Sequence, residues 1–574
     1  MSGEVEKSVQ VSQLDHPSPS ENESSPEIDS PPTQEATNAS VASATGVLAL
    51  GNVASRLLGM AREVVLTNLF GASAATDAFF VATLIPRTLY DLLIGGHING
   101  AIIPVLSEVI TRDGKIAFSQ LISVLLSLIT FSVSLLVLVL VLFAPTVVGF
   151  VGSGYDAATQ SLAVDLLRIT APALLFLSLF AILSGTLYAL RSFTIPALAG
   201  AIFNGCVVLG TILLAPPVQV LTVIQSPTVY WTVGRPMDAI RAAAIGWLFG
   251  AFVQMALQFP GLRGISLRLT IHWRHPAVRQ IVLLYVPVMF SLILDALVRV
   301  FSYNLASQTG ERSLSYMNWA TTLIQFPQGL VATAISIAIL PTLARQSVRI
   351  AQDGERPFRD TLGLGLRMAI TLIVPAAVGL FVLALPIIAL LFQHGAFSAT
   401  DSAITALALR LYLLGLPFAA VDLLLVYAFY ARQDTVTPAV IGLVSLVVYM
   451  VVAVALLPTT GIFSLMIADS LKHITHATLS AYILHRRIGG FADQRLLQTG
   501  FKVAIAAALM GTAATVVEPF LERFINPSGI VGEVLLVSAG GGIAIIVYAV
   551  LAYLLGLQEL RWLVRLIRQR FTGR

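Results

Sequence analysis

Residues 188–200 read Y-A-L-R-S-F-T-I-P-A-L-A-G, and residues 430–442 read Y-A-R-Q-D-T-V-T-P-A-V-I-G. Each places Tyr-Ala six residues before Pro-Ala and closes on Gly, at an offset of 242 (430 minus 188). The same offset carries Phe150 onto Phe392, Tyr155 onto Phe397, and Leu167-Arg168 onto Leu409-Arg410. Self-similarity at a fixed period marks an architecture built from related halves. In membrane transporters the substrate site sits where such halves meet. The repeat therefore says where to look for function.

Outside these stretches the chain is overwhelmingly apolar. Hydrophobic residues make up 57% and charged residues 11%, against about 25% charged in soluble domains. Mean hydropathy is +0.87. The apolar residues fall in blocks of about 20, enough to cross a hydrocarbon core at 1.5 Å per residue. Period-2 alternation is absent, which argues against a membrane β-barrel. The expected fold class is an all-α polytopic membrane protein.

Blocks near 44–70, 76–110, 117–151, 160–190, 194–215, 237–260, 278–306, 313–344, 360–392, 401–431, 437–457, 461–485, 498–520 and 530–556 give about fourteen spans. Basic residues cluster after every second block: Arg112 and Lys115, Arg191, Arg263 to Arg279, Arg345 to Arg359, Arg432, Arg486 to Arg495, and Arg561 to Arg574. The positive-inside rule then places both termini and every even-numbered loop in the cytoplasm. The offset spans six blocks, an even number, so the halves keep one orientation. The expected domains are an acidic tail (1–40), an N-lobe of six helices (41–260), a C-lobe of six (261–490), and two further helices with a basic cytoplasmic C-terminus (491–574). In the tail, eight acids face only Lys7, leaving it near −7 and the rest near +11. Such a segment buries too little apolar surface to fold and is expected to be disordered.

Ionisable residues inside spans cost about 2.5–3.5 kcal/mol each, so they face a cavity or a partner. The first span contains Arg56, Arg62 and Glu63, and the second Asp77, Arg87, Asp91 and His97. Arg56 and Arg62 read as a cationic wall between the lobes, with an Arg62–Glu63 pair as the alternative. The seventh span carries Asp295 and Arg299, the twelfth Asp469, Lys472, His473 and His476. Asp295, Asp469, His473 and His476 are candidates for ion coupling, with self-neutralising pairs as the alternative. His473-x-x-His476 lacks an evident third ligand, so no metal is expected. The lone Cys206 supports neither a disulfide framework nor a thiolate site. No phosphate-binding G-x-x-x-x-G-K-[ST] loop occurs. No cofactor, nucleic-acid partner or enzymatic chemistry is expected.

Several stretches also carry a resemblance: S55-R-L-L-G-M-A-R-E, F70-G-A-S-A-A-T-D-A-F-F-V-A with I85-P, P104-V-L-S-E, Y316-M through F326-P-x-G to L340-P-T-L, and F429-Y-A-R-Q-D-T-x-T-P. Over roughly residues 45–490, in order, the chain resembles the MurJ/MviN family of lipid II flippases. Fourteen helices fit that family better than its twelve-helix relatives, the drug exporters and oligosaccharide flippases. The resemblance implies the multidrug/oligosaccharidyl-lipid/polysaccharide exporter fold. It also implies movement of undecaprenyl-pyrophosphate-linked peptidoglycan precursor from the inner to the outer leaflet by alternating access. Membrane lipids and cell-wall synthesis proteins would be its partners. Ser55, Arg56, Arg62 and Asp77 match family cavity residues. The family's second-span arginine falls on Tyr90 here and its glutamate on Gly95; an Asp-Arg pair falls on Thr321-Thr322 and another glutamate on Gln325. Arg87, about one helical turn before Tyr90, and Arg299 are the expected substitutes, so the substrate-binding set is Ser55, Arg56, Arg62, Asp77, Arg87, Tyr90, Arg299 and Thr322. The alternatives are a flippase or exporter for another polyprenyl-linked saccharide or amphiphile, or a non-transporting cell-wall scaffold.

Overall fold

A computed structural model describes residues 34–95, 102–215, 219–225, 228–234, 237–268, 270, 276–525 and 529–559. Of the features singled out above, tail residues 1–33, His97, Arg274 and the basic Arg561 to Arg574 lie outside them. Residues 1–46 separate as a unit of their own from 47–574, and the cavity residues described below belong to the larger unit.

The chain runs through α1 (Gln34–Phe70), α2 (Ala74–Tyr90), α3 (Ile103–Arg112), α4 (Gly114–Leu142), α5 (Ala144–Val151), α6 (Ala157–Thr170), α7 (Ala173–Ala189) and α8 (Thr194–Leu214). A hairpin of β1 (Gln219–Gln225) and β2 (Thr228–Gly234) precedes α9 (Arg241–Ala256) and α10 (Pro276–Gln308). There follow α11 (Ser313–Pro327), α12 (Thr333–Val348), α13 (Ile350–Asp353), α14 (Arg356–Val382), α15 (Ala384–Phe392), α16 (Ala399–Leu413) and α17 (Leu416–Ala431). The last are α18 (Val436–Thr460), α19 (Phe463–Arg487), α20 (Leu496–Phe524) and α21 (Ile530–Leu554). Helix occupies every apolar block, and the protein is a multi-pass membrane protein.

Two expectations need correction. The fold is nearly all-helical rather than all-α, because the connection after α8 pairs antiparallel from Gln219↔Gly234 to Gln225↔Thr228. Its Val, Ile, Thr, Tyr and Trp content favours strand. The first helix begins at Gln34, inside the segment expected to be disordered. The last proline before it is Pro32, and good helix formers such as Gln, Glu and Ala follow.

By length and composition, nine helical segments among the described residues are apolar enough to cross a membrane, or ten if the bent pair α16 and α17 counts as one span. Four blocks fall outside that set: those of α1, α2, α10 and α19. Each of these helices carries ionisable residues part-way along its length, among them Arg62, Arg87, Asp295 and Asp469. All four contribute residues to the cavity described below.

The repeat is visible in local structure as well as in sequence. Helix α6 is capped by Asp156, whose carboxylate accepts from the Thr159 and Ala158 amides. Helix α16 is capped by Ser398 in a reciprocal capping box with Asp401. The two caps stand 242 residues apart (398 minus 156) and satisfy otherwise orphaned amides. Helices α8 and α18 start at Thr194 and Val436, again 242 apart. Arg191 and Gln433 both take left-handed backbone, with φ of 60° and 58°. Such φ values are uncommon for residues other than glycine. Each half therefore makes the same turn between the same helices, and α8 packs along α9 as α18 does along α19.

The second and eighth blocks share another device. A π-helical turn follows Pro86 at Asp91–Gly95, and one follows Pro327 at Gln328–Ala332. Proline removes an amide from the helical ladder, and π-turns concentrate at functional sites.

Candidate functional site: a cavity walled by two sets of charges

A cavity of about 790 Å³ opens among α1, α2, α10, α11, α17, α18 and α19. Of the residues picked from the sequence, Arg56, Arg62, Arg87, Asp295, Arg299, Thr322, Asp469, His473 and His476 line it. Ser55, Asp77 and Tyr90 do not. Ser55 faces α8, where its carbonyl accepts from Asn204 Nδ2 at 3.2 Å. Tyr90 packs against the main apolar cluster. Asp77 is fully buried and joins the halves: it accepts from Tyr155 Oη at 2.9 Å, from the Ser315 amide at 2.9 Å and from Ser315 Oγ at 2.6 Å. The contact related to Asp77–Tyr155 by the offset is Trp319 against Phe397, rings 5.2 Å apart. Asp77 thus ties the two halves of the repeat together and does not line the cavity.

Most cavity charges are already spoken for. Arg62 Nε donates to Glu63 Oε1 at 3.1 Å and its Nη1 to Asn204 Oδ1 at 3.0 Å, with the guanidinium 5.6 Å from the Trp247 ring. Glu63 is buried and also accepts from Trp319 Nε1 at 3.2 Å. Arg299 reaches Asp91 at 3.3 Å. Lys472 donates to Asp469 at 2.6 Å, with His473 3.7 Å from the same carboxylate. His476 Nδ1 lies 2.5 Å from Asp422 Oδ1. In water-poor surroundings such pairing offsets the cost of burying charge.

Two arginines are different. Arg87 is exposed to the cavity and has no hydrogen-bond or ion-pair partner among the described residues. Arg56 is also exposed and makes one contact, Nη1 to the Gln325 carbonyl at 3.3 Å. Its guanidinium rests against Gly329, where an added Cβ would collide with it. A guanidinium keeps its charge and offers paired donors to phosphate oxygens. Arg56 and Arg87 therefore keep guanidinium donors open to the cavity, whereas those of Arg62 are engaged by Glu63 and Asn204. Thr321 and Thr322 donate to the carbonyls of Met317 and Asn318. Among the described residues no cluster of acids, histidines or cysteines could hold a metal ion.

A family profile described as Lipid II flippase MurJ matches residues 66–540. The chain belongs to the MurJ family of lipid II flippases. It is 31% identical over 415 residues to a protein named lipid II flippase MurJ from Burkholderia cenocepacia, covering 71% of this chain and 76% of that one. It is 30% identical over 488 residues to a probable lipid II flippase MurJ from Haemophilus influenzae, covering 82% and 91%. Among solved structures, a lipid II flippase MurJ in an inward closed conformation superposes with a TM-score of 0.70 at 22% identity, over 92% of this chain and 99% of that one. A multidrug resistance MATE family transporter in an inward-facing conformation gives 0.59 at 14% identity, over 76% and 94%. These superpositions establish the shared fold.

Sequence reasoning passed over Asp422, Asn204 and Trp319. Asp422 carried the same signal as Asp295, a lone acid in an apolar block, and was findable. Asn204 and Trp319 carried none: their importance comes from meeting Arg62 and Glu63 across 142 and 256 residues of chain.

Proposed function

We propose that this chain moves lipid II from the inner to the outer leaflet of a bacterial inner membrane by alternating access. Its fourteen spans form two six-helix lobes and a C-terminal helix pair, with both termini in the cytoplasm. The observation that carries the reading is a cavity, in a member of this family, with guanidinium groups left free on one wall. An unpaired pyrophosphate cannot enter hydrocarbon without a cost of several kcal/mol or more. Arg56 and Arg87 replace its hydration in the cavity while the prenyl chain stays in lipid. Thr322 and, on the facing wall, Arg299 complete the site. Net outward movement of negative charge is favoured by an inside-negative potential, at about 2.3 kcal/mol per charge per 100 mV. Asp469, His473 and His476, with Asp422, form the titratable side on which ion coupling would act.

The test is complementation of a strain depleted of its own lipid II flippase, with leaflet-resolved assay of lipid II. Growth without restored flipping, or restoration by an Arg56→Ala, Arg87→Ala double variant, refutes the reading.

A further inference from the structure

The two walls of the cavity do not carry the same charge. On α1 and α2, three arginines face Glu63, leaving +2. On α10, α17 and α19, three aspartates face Arg299 and Lys472, leaving −1 with both histidines neutral. The contacts described above give every acid of the cavity but one a partner among the described residues. Glu63, Asp422 and Asp469 each have a cationic or donor partner within 3.2 Å. Asp295 has no hydrogen-bond or ion-pair partner among the described residues, and its side chain is exposed within the cavity. The nearby cations are engaged elsewhere: Arg299 with Asp91 and Lys472 with Asp469. The walls thus offer unpartnered guanidinium on one side and one unpartnered carboxylate on the other.

A purely anionic ligand would gain nothing from that carboxylate and would be repelled by it. A carboxylate kept open in a span costs insertion energy, and a cationic group on the ligand would recover it. We infer that the substrate is recognised as a zwitterion: Arg87 and Arg56 hold its pyrophosphate, and Asp295 is the counter-ion for a primary ammonium group on the same head group. Asp295 is then a specificity-determining residue, separating amine-bearing head groups from those whose amine is absent or blocked. This rests on the flippase reading and narrows its substrate class.

The test uses the full-length protein in nanodiscs and two probes: lipid II carrying a free primary amine on its peptide, and the same molecule N-acetylated at that amine. Wild-type protein should bind the free amine about fivefold more tightly, the upper range for an ion pair open to water. Asp295→Asn should bring affinity for the amine form down to that of the acetylated form, and Asp295→Glu should restore the preference. Arg87→Ala should weaken both probes alike. Equal binding of the two probes by wild type, or an unchanged ratio in Asp295→Asn, overturns the inference and leaves the flippase reading standing. An Asp295→Asn effect limited to sodium dependence also overturns it. Failure of wild type to bind either probe overturns both.

Discussion

Replacing Arg62 with alanine separates a structural charge from a substrate-binding one. Arg62 and Glu63 are 18% and 6% exposed, and Glu63 also holds Trp319 of the other half. Removing the arginine leaves a buried carboxylate with one neutral N–H donor. Breaking a buried pair from one side costs about 3–5 kcal/mol, and the partial exposure of Arg62 points to the lower end, about 3 kcal/mol. For a chain of this length that corresponds to a fall in thermal midpoint of about 3–6 °C, extrapolating the trend by which larger domains shift less per kcal/mol. The assay is thermal unfolding of purified protein, followed by fluorescence. Arg62→Ala, Glu63→Gln should recover most of the loss, because no charge is left unpaired. Both variants should retain head-group affinity within a few-fold, since Arg62 already has its partners. Arg62→Ala with a wild-type midpoint and abolished lipid II binding would refute the argument and restore Arg62 to the binding wall.

Arg87→Ala should do the opposite: an unchanged midpoint, with lipid II affinity lowered roughly 10- to 150-fold, the equivalent of about 1.5–3 kcal/mol for a charge-assisted contact. Arg87→Lys should recover little of it, because an ammonium cannot reproduce the forked contact. Asp77→Asn keeps the shape of this lock between the halves of the repeat but weakens charge-assisted bonds by about 1–3 kcal/mol. Tested in a Cys206→Ser background, a cysteine replacing the fully buried Ser307, which holds the Gly154 amide, should then react faster with a thiol reagent; an unchanged rate counts against the lock. Gly329→Ala should push Arg56 off the Gln325 carbonyl and lower affinity a few-fold without unfolding the protein, because the displaced group is a flexible tip; a large fall in midpoint would contradict this. A cysteine in loop 152–158 should be labelled from outside intact cells and one at Arg349 should not; the reverse pattern would invert the topology.

The sequence by itself determined the membrane class, the repeat and the helices that bear charge. These depend on composition and on spacing along the chain. Caps at Asp156 and Ser398, left-handed turns at Arg191 and Gln433, and helix starts at Thr194 and Val436 all obey the offset read from two short stretches. Intramembrane charge is costly enough to be conspicuous wherever it occurs, so nine of the twelve residues picked on that ground or by family resemblance do line the cavity. What the sequence could not decide was which charges are free. That depends on the rotation of each helix and on partners from other elements. Asp77 looked like a wall residue but meets Tyr155 and Ser315; Arg62 looked available but meets Asn204 and, through Glu63, Trp319. Only the packing of α1 against α8 and α11, and of α2 against α11 and the turn before α6, brings those groups within hydrogen-bond reach. Among the described residues, Arg87 and Asp295 are the charges that face the cavity unpartnered.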